Sequence, residues 1–248
     1  MKNSNKKLLG IEIPQATKSE VLEKIVKNID SEKSFMHVVS LNPENLVLAD
    51  ENPDFMQAIQ KAYIKIIDGF GVIFMANLCG ITYGQRYAGV DLMSDLLKEA
   101  EERRLRVMLI GGRPNIAEEV AKCQNEIYPR IEFSALEGIT DISNVKKSEE
   151  AHIFSIVTAT KPHLVFVAFG SPFQELWIDR HSNQFGRCTI IGVGGAFDFL
   201  SGIIPRAPLV IQRIGLEWLF RLLLQPWRFG RQLRLIKFIW LAIKERVV

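Results

Sequence analysis

The sequence predicts an α/β fold in which helices flank a mostly parallel β-sheet. Short, almost continuously apolar segments rich in β-branched residues recur along the chain, a pattern typical of strands buried on both faces of a parallel sheet. Segments with helical spacing of apolar residues lie between them, and alternating strands and helices favour this fold class. The 248 residues, 48% of them hydrophobic and 24% charged, suffice to bury such a core. We therefore expect a Rossmann-like architecture.

Six segments carry the strand pattern and three carry a clear helical one. The strand segments are 35–42 (FMHVVSLN), 63–68 (YIKIID), 106–112 (RVMLIGG), 131–138 (IEFSALEG, the weakest), 163–170 (HLVFVAFG) and 188–195 (CTIIGVGG). The helical segments are 21–29, 115–128 and 173–181. We expect one α/β catalytic domain over residues 1–204, with a helical appendage over residues 205–248.

The C-terminal segment differs in charge from the rest of the chain. From Pro205 to Val248 it carries nine Lys or Arg and two Glu, whereas residues 1–204 carry 22 basic and 26 acidic side chains. Three of the four tryptophans lie in it, and Pro226 is expected to divide it into two helices. A basic amphipathic helix with aromatic residues is typical of a peripheral membrane element. The alternative is a helix pair packed on the domain with a solvated basic face; nucleic acid is disfavoured because the apolar content is high.

Several kinds of chemistry find no support in the sequence. The three cysteines are far apart and odd in number, which favours a reduced cytoplasmic protein over a disulfide framework. No DxD motif and no histidine pair with metal spacing occur, so we predict no catalytic metal. No GxSxG elbow is present. The N-terminus lacks the apolar core of a signal peptide, and no apolar run is long enough to span a membrane.

Polar residues and glycines follow directly after the predicted strands. They are Ser40, Asn42, Asp68, Gly111, Gly112, Ser171, Gln174 and the segment 194–198, which holds Gly194, Gly195 and Asp198. In open α/β sheets, ligands bind beyond the carboxyl ends of the strands. We therefore expect these residues to converge on one crevice.

Three of these features have an ordinary structural alternative. Asp68 could be a catalytic base or could simply cap a helix. The Gly111-Gly112 pair could bring the backbone and a helix N-terminus to a phosphate, or could form a plain turn. Arg86, in a glycine-flanked loop, could present its planar fork to phosphate oxygens or could form a surface salt bridge.

Two further segments place polar side chains near the start of a helix. Ser171 is predicted as an N-cap with Pro172 at the first helical position, which leaves Gln174 in the first turn, facing the crevice. Asp198 could accept hydrogen bonds from the base or ribose of a nucleotide, and its alternative is a helix N-cap.

The segment GVGGAFDFLSG, residues 192–202, superficially resembles a dinucleotide fingerprint. It lacks the full GxGxxG spacing. A dehydrogenase also needs an acidic residue about twenty positions further on, where this chain has Pro205, Arg206 and Pro208 nearby instead. A nucleotide-dependent oxidoreductase is therefore kept only as an alternative.

Four pieces of sequence, in order, resemble the WecG/TagA/CpsF family of bacterial glycosyltransferases from about Leu9 to Arg234. They are LNPEN (41–45), IDGFGV (67–72), FGSPFQELWI (169–178), and GVGGAFDFLSGIIPRAP (192–208) followed by GLEWLFRLLLQPWR (215–228). The resemblance implies inverting, metal-independent transfer of a sugar, typically N-acetylmannosamine, from UDP to a polyprenyl-diphosphate-linked sugar. Such a reaction serves bacterial surface polysaccharide or teichoic acid synthesis and needs no cofactor beyond the UDP-sugar donor.

The resemblance also implies roles for individual residues. Asp68 matches the base, Arg86 a phosphate-facing arginine, Gln174 the glutamine at a helix start and Asp198 the aspartate on the nucleotide side. The remaining matches are the polar neighbours Ser40 and Asn42 and the diphosphate-reaching arginines Arg221, Arg228 and Arg231. The implied location is the inner face of the cytoplasmic membrane, reached through residues 205–248, with no nucleic acid partner and a possible homo-oligomer. A non-catalytic membrane adaptor of polysaccharide assembly is the second alternative.

The chain departs from the family pattern beside the expected site. Phe173 stands where the family has a basic residue, Gln225 replaces a glutamate, Ser40 a threonine and Ile67 a proline. These positions bear on which donor and acceptor sugars are used.

Overall fold

The structure is a computed structural model that describes residues 7–31 and 34–247. For residues 228, 231, 246 and 247 it describes the backbone alone.

The described chain contains one six-stranded sheet and one short hairpin. The strands are β1 (Lys7–Leu8), β2 (Ile11–Glu12), β3 (Met36–Leu41), β4 (Ile64–Ile67), β5 (Arg106–Gly111), β6 (Glu132–Leu136), β7 (Leu164–Ala168) and β8 (Thr189–Gly192). In the sheet the order is β4-β3-β8-β7-β5-β6, and every pair is parallel. All six predicted strand segments are confirmed. The antiparallel pair β1–β2 was not predicted, because two-residue strands are too short to show a period.

Helices connect the strands and form the C-terminal segment. Within the described residues they are α1 (Lys18–Ser31), α2 (Pro43–Glu51), α3 (Pro53–Lys61), α4 (Phe70–Leu78), α5 (Gly89–Arg103), α6 (Ile116–Ile127), α7 (Lys147–Thr160), α8 (Phe173–Arg180), α9 (Ala196–Leu200), α10 (Leu209–Arg213), α11 (Glu217–Leu224) and α12 (Phe229–Val247). Short 3-10 turns span Ser182–Gln184 and Pro226–Arg228. The three predicted helices are confirmed, as is the division of the appendage at Pro226.

Both faces of the sheet are buried, which explains the continuous apolar strands. Successive residues of β3 alternate between the faces: Val38 packs with α1 and α5, whereas Val39 packs with α2, α3 and α4. Towards β7 the second face is covered by α7 and α8. This two-sided burial is the arrangement that parallel sheets require.

The helix α12 packs against α2 on the second face of the sheet. Phe238 and Ala242 are completely buried there and share a core with Val39 and Leu46. Glu245 accepts a hydrogen bond from the Leu9 main-chain N–H at 2.7 Å. The appendage is thus attached to the α/β body both by apolar packing and by a hydrogen bond. No helix in the described part of the chain is both long and apolar enough to cross a membrane.

Candidate active site

A cavity of about 1040 Å³ lies at the carboxyl ends of the strands, and residues of the appendage form part of its lining. We refer to this cavity as the crevice. Its walls include eleven of the predicted residues: Ser40, Asn42, Asp68, Arg86, Gly112, Ser171, Gln174, Gly194, Gly195, Asp198 and Arg221. Of the described residues predicted for this site, Gly111 alone lies off the wall, packed against the ring of Phe169. The side chains of Arg228 and Arg231 lie outside the described residues. The expected convergence of strand-end residues is therefore observed.

Asp68 directly follows β4 and does not cap α4, the next helix along the chain. The helix α4 begins at Phe70, and Gly69 occupies its N-cap position without a side-chain hydrogen bond. The Asp68 main-chain N–H donates to the Leu41 carbonyl at 2.9 Å, and its carboxylate accepts from the Gly89 N–H. Asp68 therefore does not cap α4, although its carboxylate accepts from the first N–H of α5, and it lies on the crevice wall.

The surroundings of Asp68 raise the pKa of its carboxyl group. Removal from water raises its pKa from 3.8 to about 6, while the positive charge of Arg86 acts in the opposite direction. The negative charges of Glu217 and Asp91 also contribute to this rise. A carboxylate with a pKa of about 6 is still mostly ionised at neutral pH and is a stronger base than an exposed aspartate.

Ser40 and Asn42 lie beside Asp68 at the end of β3. A methyl group placed on Gly89 would lie 3.3 Å from the Ser40 hydroxyl and 4.0 Å from Oδ2 of Asp68, so these two side chains border the same small space. Asn42 has a local task as well: its Oδ1 accepts from the Asn45 N–H at 2.9 Å and caps α2.

Arg86 connects Asp68 to the appendage. Its Nε donates to the main-chain carbonyl of Asp68 at 2.7 Å, and its Nη2 lies 3.4 Å from Oε2 of Glu217. The guanidinium is therefore in a salt bridge, but not in an exposed surface one. The Arg86 and Glu217 side chains are only 24% and 16% exposed, and both line the crevice.

Gln174 ties together two of the loops that follow strands. Its Oε1 accepts from the Gly170 N–H at 3.1 Å and the Gly194 N–H at 3.2 Å. Its Nε2 donates to Oε1 of Glu175 at 2.8 Å, and burial raises the pKa of that glutamate. Gln174 thus fixes the ends of β7 and β8 relative to each other.

The prediction that Ser171 is the N-cap of α8 is wrong. The helix begins at Phe173 and Pro172 occupies the cap position. The Ser171 hydroxyl instead donates to Oε1 of Glu175 at 2.9 Å. The hydroxyl is directed towards the buried Glu175 carboxylate, a strong charged acceptor, and the sequence alone gave no sign of that burial.

Asp198 lies inside α9 rather than at its N-cap, which is Gly195. Its carboxylate faces two arginines, Nη2 of Arg221 at 3.1 Å and Nε of Arg113 at 3.3 Å. Arg221 also stacks over the ring of Phe199 at 4.6 Å from its centroid. The N-cap alternative for Asp198 is therefore wrong. Arg113 was missed, although it directly follows the glycine pair that the sequence singled out.

The turn between β5 and α6 requires its glycines. Gly111 and Gly112 have φ angles of +88° and +93°, and a Cβ on Gly112 would lie 2.2 Å from Cγ2 of Ile116. The helix begins at Ile116, with Asn115 at its cap. Gly112 therefore satisfies the plain-turn alternative, and phosphate contact at this turn stays a prediction.

A network of four charged side chains joins the appendage to the crevice and was also missed. Arg206 lies 2.5 Å from Oδ1 of Asp91 and 3.1 Å from Oε1 of Glu217, which in turn faces Arg86. Both Arg206 and Glu217 occur within the quoted sequence pieces 192–208 and 215–228. The network could not be read there, because Asp91 lies 115 positions from Arg206 and Arg86 lies 131 positions from Glu217.

The outer part of the crevice is apolar. Phe70 and Phe74 of α4 line it together with Leu224, Trp227 and other large side chains of the appendage. Several are exposed, including Phe74 at 57% and Trp227 at 77%. Contiguous exposed aromatic surface of this kind marks a site of interaction.

Among the described residues, no cluster of three or more His, Cys, Asp or Glu is arranged to hold a metal ion.

Known proteins resemble the chain over nearly its whole length. A model described as "Glycosyl transferase WecG/TagA/CpsF family" matches residues 6–248. An N-acetylglucosaminyldiphosphoundecaprenol N-acetyl-beta-D-mannosaminyltransferase of Bacillus spizizenii is 33% identical over 208 residues, 84% of this chain and 79% of that protein. The protein of the same name from Bacillus subtilis is 31% identical over the same shares. The one from Staphylococcus aureus is 28% identical over 225 residues, 90% of this chain and 86% of that protein.

Proposed function

The chain belongs to the WecG/TagA/CpsF family of glycosyltransferases, and from this premise we propose that it transfers N-acetylmannosamine, or a related hexose derivative, from UDP to a sugar on a polyprenyl diphosphate. The relatives' names specify N-acetylmannosamine as the sugar transferred and N-acetylglucosaminyl-diphosphoundecaprenol as the acceptor. The product would be an intermediate of bacterial surface polysaccharide or teichoic acid synthesis.

The observation that carries this proposal is the position of Asp68. It is an ionisable carboxylate at a strand end, open to a crevice that also holds Arg86 and Arg221. In the proposed step Asp68 takes the proton of the acceptor hydroxyl, whose oxygen bonds to the anomeric carbon of the donor. The bond from that carbon to the β-phosphate oxygen breaks on the opposite face, and the electron pair leaves with UDP. The configuration at the anomeric carbon is thereby inverted, and general base assistance of this kind supplies roughly 10²–10⁴-fold in rate.

The departing diphosphate needs positive charge and N–H donors, which the crevice walls can supply. Arg86, Arg113 and Arg221 line the crevice, and the glycines of the 192–195 loop expose their backbone to it. Each of these arginines already faces a carboxylate, Glu217 or Asp198. A bound diphosphate would therefore share these cations with those two carboxylates. Arg228 and Arg231 are proposed to contribute further charge from the same appendage.

The appendage is proposed to bring the crevice to the inner face of the cytoplasmic membrane. The acceptor is a lipid, and the apolar rim formed by α4 and residues 205–248 surrounds the crevice opening. In this arrangement residues 1–204 supply the base and the loops, while residues 205–248 supply both the roof and the membrane contact.

The proposal is tested by measuring UDP release from a panel of UDP-sugars with a short-chain N-acetylglucosaminyl-diphospholipid as the acceptor. We expect release to depend on the acceptor and to be fastest with UDP-N-acetylmannosamine. A thermal-shift comparison of UDP with NAD provides an independent arm. Stabilisation by NAD alone would favour the oxidoreductase, and binding of UDP without turnover of any sugar would favour the non-catalytic adaptor.

A further inference from the structure

Glu217, an acidic residue of the appendage, is connected to Asp68 through Arg86, which contacts both residues. It begins α11, directly after residues 214–216, which line the crevice. Its side chain is 16% exposed, so its charge lies mostly inside the protein. A carboxylate so placed is costly unless it is paired.

Both oxygens of Glu217 are paired with arginines that come from different parts of the chain. Oε2 lies 3.4 Å from Nη2 of Arg86, and Oε1 lies 3.1 Å from Nε of Arg206. Arg206 is held by Asp91, at the start of α5. The four charges alternate in sign, so Glu217 is fixed from one side and itself orients Arg86 from the other.

Arg86 transmits this orientation to Asp68. Its Nε donates to the Asp68 main-chain carbonyl at 2.7 Å, and the next residue, Tyr87, donates its N–H to the Ile67 carbonyl at 2.8 Å. The guanidinium thus lies against the strand end that carries the proposed base. If Glu217 were neutral, Arg86 would lose its partner on the appendage, and Glu217 would no longer share its positive charge with Asp68.

We propose that Glu217 is a positioning residue for the transfer reaction: it holds the guanidinium of Arg86 in one orientation beside Asp68 and shares its positive charge, and thereby links docking of the appendage to the arrangement of the proposed base. The catalytic consequence of this inference rests on the proposed function, whereas the effect of Glu217 on the titration of Asp68 does not. The appendage would then contribute an organising negative charge as well as the arginines that the sequence singled out.

The charged groups around Asp68 define the expected direction of the effect. Arg86 lowers the Asp68 pKa, whereas Glu217 and Asp91 raise it, and Arg206 offsets both of these acids. Removing the charge of Glu217 takes away one repulsion and leaves Arg86 without its competing partner. Both changes favour ionised Asp68, so Asp68 should titrate at a lower pH.

The test compares Glu217→Gln, Glu217→Asp and the unmodified full-length protein. The Asp68 carboxyl is followed by ¹³C NMR after labelling with ¹³C-carboxyl aspartate, and its signal is identified as the one missing from Asp68→Asn. We expect the titration midpoint in Glu217→Gln to fall by on the order of half a pH unit, and the acid limb of kcat/KM to move with it. Glu217→Asp keeps the charge and should titrate much as the unmodified protein does.

The matched control is Glu51→Gln, which removes another ion pair between the appendage and the body, that of Glu51 with Lys237. It should leave the Asp68 titration unchanged. A shift in Glu51→Gln equal to that in Glu217→Gln would reduce Glu217 to a general docking contact and overturn the proposal, as would an unmoved midpoint in Glu217→Gln. Absence of sugar transfer by the unmodified protein would instead count against the proposed function, because the NMR titration needs no turnover.

Discussion

Nη2 of Arg221 lies 3.1 Å from Oδ2 of Asp198, joining the helix α11 of the appendage to α9, the short helix after β8. The same guanidinium donates to the main-chain carbonyl of Gly195 at 3.2 Å. The pair is largely buried, with 17% and 16% of the two side chains exposed. Arg221 is therefore both a structural link and a cation on the crevice wall, and these two roles can be separated by experiment.

We expect Arg221→Ala to lower kcat/KM by roughly 10²-fold or more, because the leaving diphosphate would lose a preorganised cation in a partly buried site. Arg221→Lys should recover part of the activity, since it keeps the charge but loses the planar fork. The measurement is steady-state UDP release. Arg213→Ala provides the control, because Arg213 is an exposed arginine of the appendage that is not on the crevice wall. Equal losses in both variants would indicate a general effect of appendage charge.

Asp68→Asn should reduce kcat by at least about 10²-fold, because the amide cannot take the proton of the acceptor hydroxyl. The fold should be retained, since Asn can still accept from the Gly89 N–H. Turnover close to that of the unmodified protein would exclude Asp68 as the base.

The same variant should be more stable than the unmodified protein at alkaline pH. Burial raises the Asp68 pKa from 3.8 to about 6, so the folded state favours the neutral acid and loses stability as the pH rises through about 6. Asn avoids that cost, and we expect a gain of about 1–3 kcal/mol in unfolding free energy at pH 8, allowing for partial access of solvent. The gain should vanish near pH 4. Denaturant unfolding at the two pH values measures it.

The sequence predicted the strands well because the sheet is buried on both faces. Segments such as β7 (Leu164–Ala168) are apolar at every position and stand out in the chain. It also located Asp68, since a polar residue at a strand end is visible without knowledge of packing. It could not predict the pairing of Glu217 with Arg86, because contacts between residues 131 positions apart leave no periodic trace.

Gln174 illustrates a residue whose position was predicted but whose contacts were not. The first turn of α8 does face the crevice, yet the amide oxygen of Gln174 is occupied by the N–H groups of Gly170 and Gly194. That occupation depends on how two loops meet in space. The local sequence FGSPFQE does not record it.

Gln174→Ala should destabilise the protein and release the loops that contain Gly170 and Gly194 from each other. Two main-chain N–H groups would lose their acceptor, at a cost of about 1–3 kcal/mol for each that remains buried and unsatisfied. We expect KM for the UDP-sugar to rise more than kcat falls, because the affected loops lie away from Asp68. Gln184→Ala provides a surface control, since that glutamine bonds only to His181 among the described contacts. A fall confined to kcat would argue against a role for Gln174 in holding these loops.

The pH dependence of kcat/KM should show an acid limb with a midpoint near 6, the pKa to which burial raises Asp68. The sign follows from the chemistry: the base must be ionised, so activity rises as the pH increases through that value. His37 does not titrate in this window, because burial lowers its pKa to about 3. Initial rates measured from pH 4.5 to 8 at constant ionic strength define the limb. A midpoint unchanged in the residual activity of Asp68→Asn would assign it to another group.

Membrane binding should depend on the apolar rim of the crevice rather than on exposed apolar residues in general. Phe74 and Trp227 are 57% and 77% exposed and both line the crevice, Phe74 from α4 and Trp227 from the appendage. We expect Phe74→Ser and Trp227→Ser each to weaken co-flotation with anionic liposomes, and the double variant to do so more strongly, because each change removes apolar surface from the bilayer. Ile127→Ser is the matched control, since Ile127 is 61% exposed but lies at the end of α6, away from the crevice wall. If Phe74→Ser binds as the unmodified protein does while Trp227→Ser does not, contact is confined to residues 205–248. Equal weakening by all three single variants would mean that the rim is not a specific membrane surface.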